Sequence, residues 1–428
     1  MSNTDAHRAA EQAARQSYGK LIAWLAARSR DVAAAEDALS DAFAAALAVW
    51  PTQGVPSAPE AWLLTAARRR LIDMARRRQT RETASDHLLL SLEEAAAEAD
   101  ASGSIPDQRL RLMFACAHPA LDPAMRSPLM LQAVLGLDAA TIAAVFLVPP
   151  ATMGQRLVRT KRRIRDAGIP FRLPEQEDLP ARLDAVLEAI YAVFAAGWVD
   201  PAALDQRRHG LVDEALWLGR VLADLLPDEP EVLGLLALML HSAARTAARR
   251  DGSGAYVPLS AQDPSCWNAA TIAEAESLLL RASARRRAGR FQLEAAVQSA
   301  HAARRHTGRT DWEAIVVLYD ALLALTGSPV VAVNRAVALA ETAGAAAGLA
   351  ALDGLADAPK DAPKDAPKDA PELATYQPFW AARADLLARL GRSQAASTAY
   401  ERALALENDP AARHFLAARQ AALRPRRG

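Results

Sequence analysis

The 428-residue chain has few cysteines and no net charge. Cys116 and Cys266 are its two cysteines, and 50 lysines and arginines balance 50 aspartates and glutamates. Two cysteines cannot build the disulfide framework of a secreted protein, and such a low number is typical of a reducing compartment. The N-terminal residues lack the apolar core of a signal peptide, and no uninterrupted apolar run is long enough to cross a bilayer. We therefore expect a cytoplasmic protein without membrane spans.

Patterns typical of common enzyme sites are also missing. The sequence contains no GxxxxGK or GxGxxG phosphate loop, and its histidines accompany no recognisable nucleophile elbow. Cys116 and His118 lie close together in CAHPA, but no further zinc ligand follows at a usable spacing. We interpret Cys116 as a core residue. We predict no catalytic activity, no metal and no cofactor.

Strong helix formers dominate the composition. Alanine, leucine and arginine are abundant, and β-branched residues rarely alternate with polar ones as a half-buried strand requires. The chain is therefore predicted to be all-α, and its length indicates two or three domains. Proline-rich breaks occur at residues 51–60 and 168–180, and an acidic connector spans residues 80–107.

Basic residues are concentrated in two stretches of this neutral chain. Residues 62–78 (WLLTAARRRLIDMARRR) and 141–165 (TIAAVFLVPPATMGQRLVRTKRRIR) both carry clustered arginines. Such segregation favours a polyanion-binding half, and nucleic acid is the commonest polyanion. The alternative is a pair of solvated helix faces.

An acidic helix face is predicted within residues 21–50. The inward stripe at helical spacing consists of Val32, Leu39, Phe43, Leu47 and Trp50. Another face carries Glu36, Asp37 and Asp41. Acidic residues on one helix face usually only keep the helix soluble, but the arginine-rich helix that follows favours a binding role.

The second basic stretch has the spacing of a helix-turn-helix. Its first helix contains Ile142, Ala143 and Phe146, a turn follows, and Pro150 suits the first position of the next helix. That second helix is predicted to bury Met153, Leu157 and Ile164. It would present donors for phosphates and base edges in a major groove, namely Thr152, Gln155, Arg156, Arg159 and Lys161.

Together, residues 21–171 resemble an extracytoplasmic-function (ECF) RNA polymerase sigma factor. The segment AAAEDALSDAF is similar to the region that docks on the core polymerase clamp. PEAWLLTAARRRLIDMARRR resembles the region that opens and reads the minus-10 promoter element, and residues 141–165 resemble the helix-turn-helix that reads the minus-35 element. CAHPALDPAMRSPLMLQAVLGL and LDAVLEAIYAVFAAGW are similar to the ECF subgroup with a large C-terminal helical-repeat extension.

The resemblance implies a role for individual residues. The clamp would be contacted by Asp37, Leu39, Asp41 and Phe43. Contacts to the minus-10 element would come from Trp62, Arg68, Arg69, Arg70, Arg76 and Arg77. Those to the minus-35 element would come from Thr152, Gln155, Arg156 and Arg159, with Lys161 a further DNA-binding residue.

The resemblance also implies a domain order. Residues 1–80 would form a domain like sigma region 2, residues 81–107 an acidic linker and residues 108–170 a domain like sigma region 4. Residues 181–428 would form a solenoid of helical pairs that resembles tetratricopeptide repeats (TPR). The spacing that indicates such a pair involves Ala384, Leu387, Gly391, Ala396, Tyr400 and Ala403. The repetitive segment at residues 357–371 (DAPKDAPKDAPKDAP) is predicted to be an extended loop.

Two functions follow from these patterns. The first is a sigma factor that binds core RNA polymerase and promoter DNA, with its C-terminal domain as a regulator in cis, in contact with the sigma domains, or as a partner-binding module. The alternative is a TPR-type adaptor whose basic helices bind RNA or an acidic protein. Dependence on polymerase distinguishes the two.

Overall fold

The computed structural model describes residues 3–79, 108–146, 148–175, 177–198, 210–356 and 373–423. Side chains are described within these ranges except at residues 3–5, 15, 16, 75–79, 144, 145, 196 and 356. The acidic linker predicted at residues 81–107 and the repetitive segment at residues 357–371 lie outside the described residues. The predicted all-α fold is confirmed, since the described ranges contain helices and no strand.

None of the described helices is both long enough and apolar enough to cross a membrane.

The chain forms two compact units. One comprises Met1–Trp198 with Asp205–Ala215, and the other comprises Val199–Leu204 with Leu216–Gly428. The first unit therefore extends beyond residue 170, where the predicted second DNA-binding domain ends.

Eight described helices lie entirely in the first unit. They are α1 (Asn3–Ser29), α2 (Val32–Gln53), α3 (Pro59–Gln79), α4 (Arg109–Cys116), α5 (Pro123–Leu135), α6 (Ala139–Val145), α7 (Pro150–Asp166) and α8 (Leu179–Trp198). Carboxylates cap several N-termini by accepting hydrogen bonds from backbone N–H groups. The Asp31 carboxylate accepts from the Ala34 N–H at 3.1 Å, and that of Asp138 accepts from the Ala140 and Thr141 N–H groups at 2.8 Å each.

The core of the first unit lies on both sides of α1. Trp24 and Leu25 of α1 are buried together with Leu39 and Trp50 of α2 and Leu63 of α3. On its other side α1 packs against α4 and α5. The backbones approach closely there, because a Cβ atom added to Gly19 would lie 2.3 Å from the carbonyl oxygen of Val134.

Helix α8 belongs to this first core. It packs against α4 and α5, and Val186, Leu187 and Ile190 are fully buried. The Arg182 guanidinium donates a 2.8 Å hydrogen bond to the carbonyl oxygen of Phe114 at the end of α4. Helix α9 (Leu211–Leu225) spans the boundary between the two units.

The second unit contains further described helices. They are α10 (Pro230–Ala243), α11 (Ala269–Ser283), α12 (Arg290–Ala302), α13 (Arg304–Thr307), α14 (Trp312–Thr326), α15 (Pro329–Thr342), α16 (Ala345–Ala356), α17 (Gln377–Arg389), α18 (Ser393–Leu406) and α19 (Pro410–Ala421). Helix α10 is the most enclosed of them, because residues 232–242 are all buried where α11 and α12 pack on it.

The helical pair predicted near the C-terminus is present as α17 and α18. Ala384 and Leu387 of α17 and Ala396, Tyr400 and Ala403 of α18 are buried in one cluster. Gly391 lies in the turn between them with a left-handed φ of 71°. A glycine adopts this conformation without strain. The similarity of these pairs to TPR repeats stays a prediction.

Arginines of α13 hold the segment between α10 and α11, residues 244–268. The Arg304 guanidinium donates to the carbonyl oxygens of Leu259, Ser260 and Gln262 at 3.1, 3.2 and 2.7 Å. Arg305 donates to the carbonyl oxygen of Trp267 at 2.7 Å. These bonds satisfy backbone acceptors that helix or sheet hydrogen bonds would otherwise satisfy.

The same segment is joined to the last described helix. The Arg250 guanidinium contacts the Asp409 carboxylate at 2.6 Å, and both side chains are largely buried. The ring of Tyr256 meets that of Phe415 edge to face, with centroids 5.5 Å apart. We call these two contacts the terminal clasp.

Gly19→Ala is expected to destabilise the first unit by ~1–3 kcal/mol, because the added methyl group overlaps the Val134 carbonyl oxygen and forces α1 away from α5. In a helix without this contact the same change stabilises by up to ~1 kcal/mol. Gly154→Ala in α7 is the matched control, since its new Cβ would meet its nearest neighbour at 3.9 Å. Denaturant unfolding measures both variants, and equal effects would contradict the close approach.

Candidate nucleic-acid interface

Helix α7 has an inward apolar side and an outward polar side. It begins at Pro150, as predicted, and Met153, Leu157 and Ile164 are buried. Leu147, in the turn before it, lies outside the described residues. The outward side carries the remaining predicted donors. Gln155, Arg156 and Arg159 are exposed, and Thr152 is half-buried.

Lys161 is a correction to the sequence-based site. Its side chain is 9% exposed, and its ammonium lies 2.5 Å from the Glu36 carboxylate of α2, which is 12% exposed. A buried ammonium engaged in this way is not available to a DNA phosphate. Lys161 therefore belongs to the internal contact between α2 and α7 and not to the outward side.

A second ion pair supports the same contact. The Arg165 guanidinium of α7 lies 3.6 Å from the carboxylate of Asp31, the residue that caps α2. The two acidic residues on the α2 side were not predicted as partners of α7. The Coulomb attraction of the two pairs adds to the apolar packing of α7 in the first unit.

Burial and charge act in opposite directions on Glu36. Removal from water raises the pKa of its carboxyl group, and the Lys161 ammonium lowers it. The neighbouring Tyr18 hydroxyl is buried too, and burial raises its pKa far above the ordinary value, with a further contribution from the Glu36 charge. Cys116 is fully buried, so its assignment to the core is confirmed.

The acidic face of α2 is divided between solvent and interior. Asp37 and Asp41 are exposed and Phe43 is half-buried. Leu39 is wrong as a polymerase contact, because its side chain has no exposed surface and packs in the core of the first unit. The inward stripe is confirmed at Val32, Leu39 and Trp50, which are buried. It is wrong at Leu47, which is 39% exposed.

Helix α3 carries the other group of predicted DNA contacts. The Trp62 ring meets the buried Trp50 ring edge to face at 5.5 Å, which anchors the start of the helix. Arg68 is half-buried, whereas Arg69 and Arg70 are exposed. The Arg70 guanidinium lies 3.6 Å from the Asp41 carboxylate. The side chains of Arg76 and Arg77 lie outside the described ones.

The arrangement separates paired from unpaired cations. Helix α2 packs against both α3 and α7, and its carboxylates engage Arg70, Lys161 and Arg165. Among the described residues, no ion pair or side-chain hydrogen bond involves the guanidinium groups of Arg69, Arg156 or Arg159. These exposed, uncompensated charges can neutralise phosphates of a nucleic acid.

Two segments of the chain match known family models. Residues 14–81, which contain α2 and α3, match the family model of sigma-70 region 2. Residues 182–283 match a family of unknown function, DUF6596. The sigma-70 region 2 match supports a role in RNA polymerase binding and transcription initiation.

A curated relative covers almost the whole chain. It is the uncharacterized protein R00370 of Rhizobium meliloti (strain 1021), which is 38% identical over 396 residues. The alignment spans 91% of this chain and 89% of the relative. No solved structure matches the chain.

Lys161→Met is expected to destabilise the first unit by about 3 kcal/mol at neutral pH, because the Glu36 carboxylate remains buried without its partner. Arg163→Met is the matched control on α7, since Arg163 is exposed and its substitution should change stability by only about 0.5 kcal/mol. Chemical denaturation at constant salt measures both variants.

The loss of stability caused by Lys161→Met should depend on pH. Without the ammonium the pKa of Glu36 rises further in the folded state, so the folded protein binds a proton that the unfolded chain has released. The penalty is greatest above the folded pKa and fades as the pH falls towards about 4.3, the ordinary value for glutamate. A loss that is constant over this range would contradict the role of Glu36.

Proposed function

We propose that this chain, which belongs to the same family as the Rhizobium meliloti protein R00370 and carries a sigma-70 region 2 domain, is an ECF-type sigma factor. It would bind core RNA polymerase and direct it to promoter DNA. One observation carries the proposal. The residues that match sigma-70 region 2 and the outward basic side of α7 belong to the same compact unit.

The minus-35 element would be read by α7. Gln155, Arg156 and Arg159 project from a helix whose opposite side is fixed by buried apolar residues. Arginine donates bidentate hydrogen bonds to guanine, and glutamine does so to adenine, in the major groove. Thr152, nearer the start of the helix, would add a contact to a base or a phosphate.

Polymerase and the minus-10 element would bind α2 and α3 of the region 2 domain. Asp37 and Asp41 supply exposed charge for the polymerase, and the half-buried Phe43 supplies an apolar contact. On α3, Trp62 and Arg68 to Arg70 are the described candidates for the minus-10 element. Stacking of a base on the aromatic ring is the chemistry that the half-buried Trp62 offers to unpaired DNA.

Transcription with purified components tests the proposal. Core polymerase, a promoter library and the full chain should give run-off transcripts that are absent without the chain. The adaptor alternative, in which the basic helices bind RNA or an acidic protein, predicts no transcript from any promoter. Absence of chain-dependent transcripts across the library would therefore overturn the sigma-factor proposal.

The second unit is proposed to regulate the sigma half in cis or to bind a partner. It makes up more than half of the chain, and its helical pairs offer a large surface. A chain of residues 1–198 retains α8 and its contacts with α4 and α5. We expect this shortened chain to bind core polymerase but to differ severalfold from the full chain in transcript yield. Equal yields, with polymerase binding intact, would contradict regulation in cis.

Arg156→Ala and Arg159→Ala should weaken binding to promoter DNA. A base-reading arginine contributes ~1–3 kcal/mol and its loss relaxes specificity, whereas loss of a phosphate contact weakens all sequences alike and lowers the salt dependence. Fluorescence anisotropy with a labelled minus-35 duplex at several salt concentrations separates these cases. Arg309→Ala, an exposed arginine of the second unit, is the control. If the DNA affinity and its dependence on salt are unchanged in both variants, the proposal that α7 contacts DNA is wrong.

Asp37→Arg should weaken binding to core polymerase by about tenfold, equivalent to ~1.4 kcal/mol, through loss and reversal of an exposed charge. The free energy of unfolding should change by only about 0.5 kcal/mol, because Asp37 is exposed on α2. Asp224→Arg, at an exposed position near the end of α9, is the matched charge reversal. Equal retention of both variants on immobilised polymerase would contradict the docking role of α2.

A further inference from the structure

A cavity of about 550 Å³ lies in the second unit, between the end of α11 and the start of α12. Cavities of about 300–1,000 Å³ with mostly apolar walls are the usual sites for small-molecule ligands. Neither the region 2 match nor the proposed DNA and polymerase contacts involve this part of the chain.

The walls of the cavity are mainly aliphatic. They are formed by Leu279, Leu280, Ala288, Leu293 and Ala296. Leu280 is 73% exposed, although it lies next to the buried core of α11. The small alanines leave the space open, and an apolar ligand would cover the leucines.

Three consecutive arginines stand at one end of the cavity, and two of them are paired. The Arg285 guanidinium contacts the Asp228 carboxylate, and Arg287 lies 2.9 Å from both carboxylate oxygens of Glu229. Arg286 lies between them and lines the cavity. Its guanidinium has no hydrogen bond or ion pair to any residue that the structure describes.

The other polar side chains of the lining already have partners. The Glu276 carboxylate accepts a 2.6 Å hydrogen bond from the Ser299 hydroxyl. The Gln292 amide donates to the Arg287 carbonyl oxygen at 2.7 Å and to the Glu231 carboxylate at 3.1 Å. The Ser283 hydroxyl donates to the Leu280 carbonyl oxygen at 2.8 Å. Arg286 is therefore the lining group left to bind a ligand.

The backbone at Arg286 is in a conformation that favours glycine. Its φ is 53°, in the left-handed region, where a side chain with a Cβ atom is strained. Such strain is often found at ligand-binding positions. Glycine would avoid this backbone strain but would lack a charge. Arginine at this position places a cation at the cavity.

Charge is asymmetric along the cavity. Glu276 lies at the other end, and about seven residues of helix, or about 10 Å, separate it from the end of α11. Its neighbour His241 is neutral at pH 7, because burial lowers the pKa of the imidazole to about 4. The Glu276 carboxyl group and the neutral imidazole offer no cation to an anionic ligand, which leaves the Arg286 end as the place for a negative group.

We propose that this cavity binds an apolar monocarboxylic acid. The carboxylate would pair with the Arg286 guanidinium, which offers two parallel N–H donors, and the hydrocarbon would lie against Leu279, Leu280 and Leu293. A single uncompensated cation matches the single charge of a carboxylate. The proposal does not depend on the sigma-factor function, because binding requires neither polymerase nor DNA.

Calorimetric titration of the full chain with sodium octanoate tests the site. We expect saturable binding of one octanoate per chain and at least tenfold weaker binding of 1-octanol, which has the same chain length without the charge. Butyrate, which lacks most of the apolar surface, should also bind at least tenfold more weakly than octanoate. Absence of saturable octanoate binding, or equal binding of octanol, would overturn the proposal.

Two variants separate the charge from the apolar wall. Arg286→Gly removes the guanidinium and relieves the positive φ, so the chain should fold and bind octanoate at least tenfold more weakly. Leu280→Glu places a carboxylate in the exposed wall and should abolish octanoate binding. Arg285→Gln, which alters the neighbouring paired arginine, is the control and should bind like the unmodified chain. Unchanged binding in Arg286→Gly, with folding verified by circular dichroism, would overturn the assignment.

Discussion

The buried ion pair between Glu36 and Lys161 fixes the orientation of α7 against α2 in the first unit. An amphipathic helix with an apolar stripe can rotate somewhat about its axis without losing its burial. The ammonium of Lys161 restricts that freedom in α7, because it is satisfied only where the Glu36 carboxylate of α2 meets it. The exposure of Arg156 and Arg159 on the opposite side follows from this orientation. The outward basic surface therefore depends on a contact that lies inside the protein.

Local sequence signals predicted the helices well but not their partners. The start of α7 followed from Pro150, and its buried residues followed from helical periodicity. The same periodicity places Lys161 between Leu157 and Ile164 on the inward side, yet its charge suggested exposure. Its partner, Glu36, is 125 residues away in sequence, and no local pattern links the two. Two signals disagreed about Leu39. Helical periodicity indicated burial, whereas the sequence resemblance suggested a surface contact. The structure agrees with periodicity.

The second unit shows a different limit of sequence reasoning. Small residues at helical spacing predicted the pair formed by α17 and α18, because close crossings require them. The segment at residues 244–268 is instead fixed by Arg304, which binds three backbone carbonyl oxygens. Every residue has a backbone carbonyl oxygen, so the sequence cannot show which of them accept these hydrogen bonds. The left-handed backbone of Arg286 was equally hidden, since glycine is the residue that usually signals it.

The terminal clasp changes how the second unit should lose its structure. In an open array of helical repeats each repeat contacts only its neighbours, so the end repeat frays first and unfolding spreads along the array. Here Arg250 and Tyr256, from the segment after α10, hold Asp409 and Phe415 at the last described helix. Fraying of α19 must break a largely buried ion pair and an aromatic contact with a distant part of the chain. We therefore expect α19 to lose its structure together with the segment at residues 244–268, and not by independent fraying.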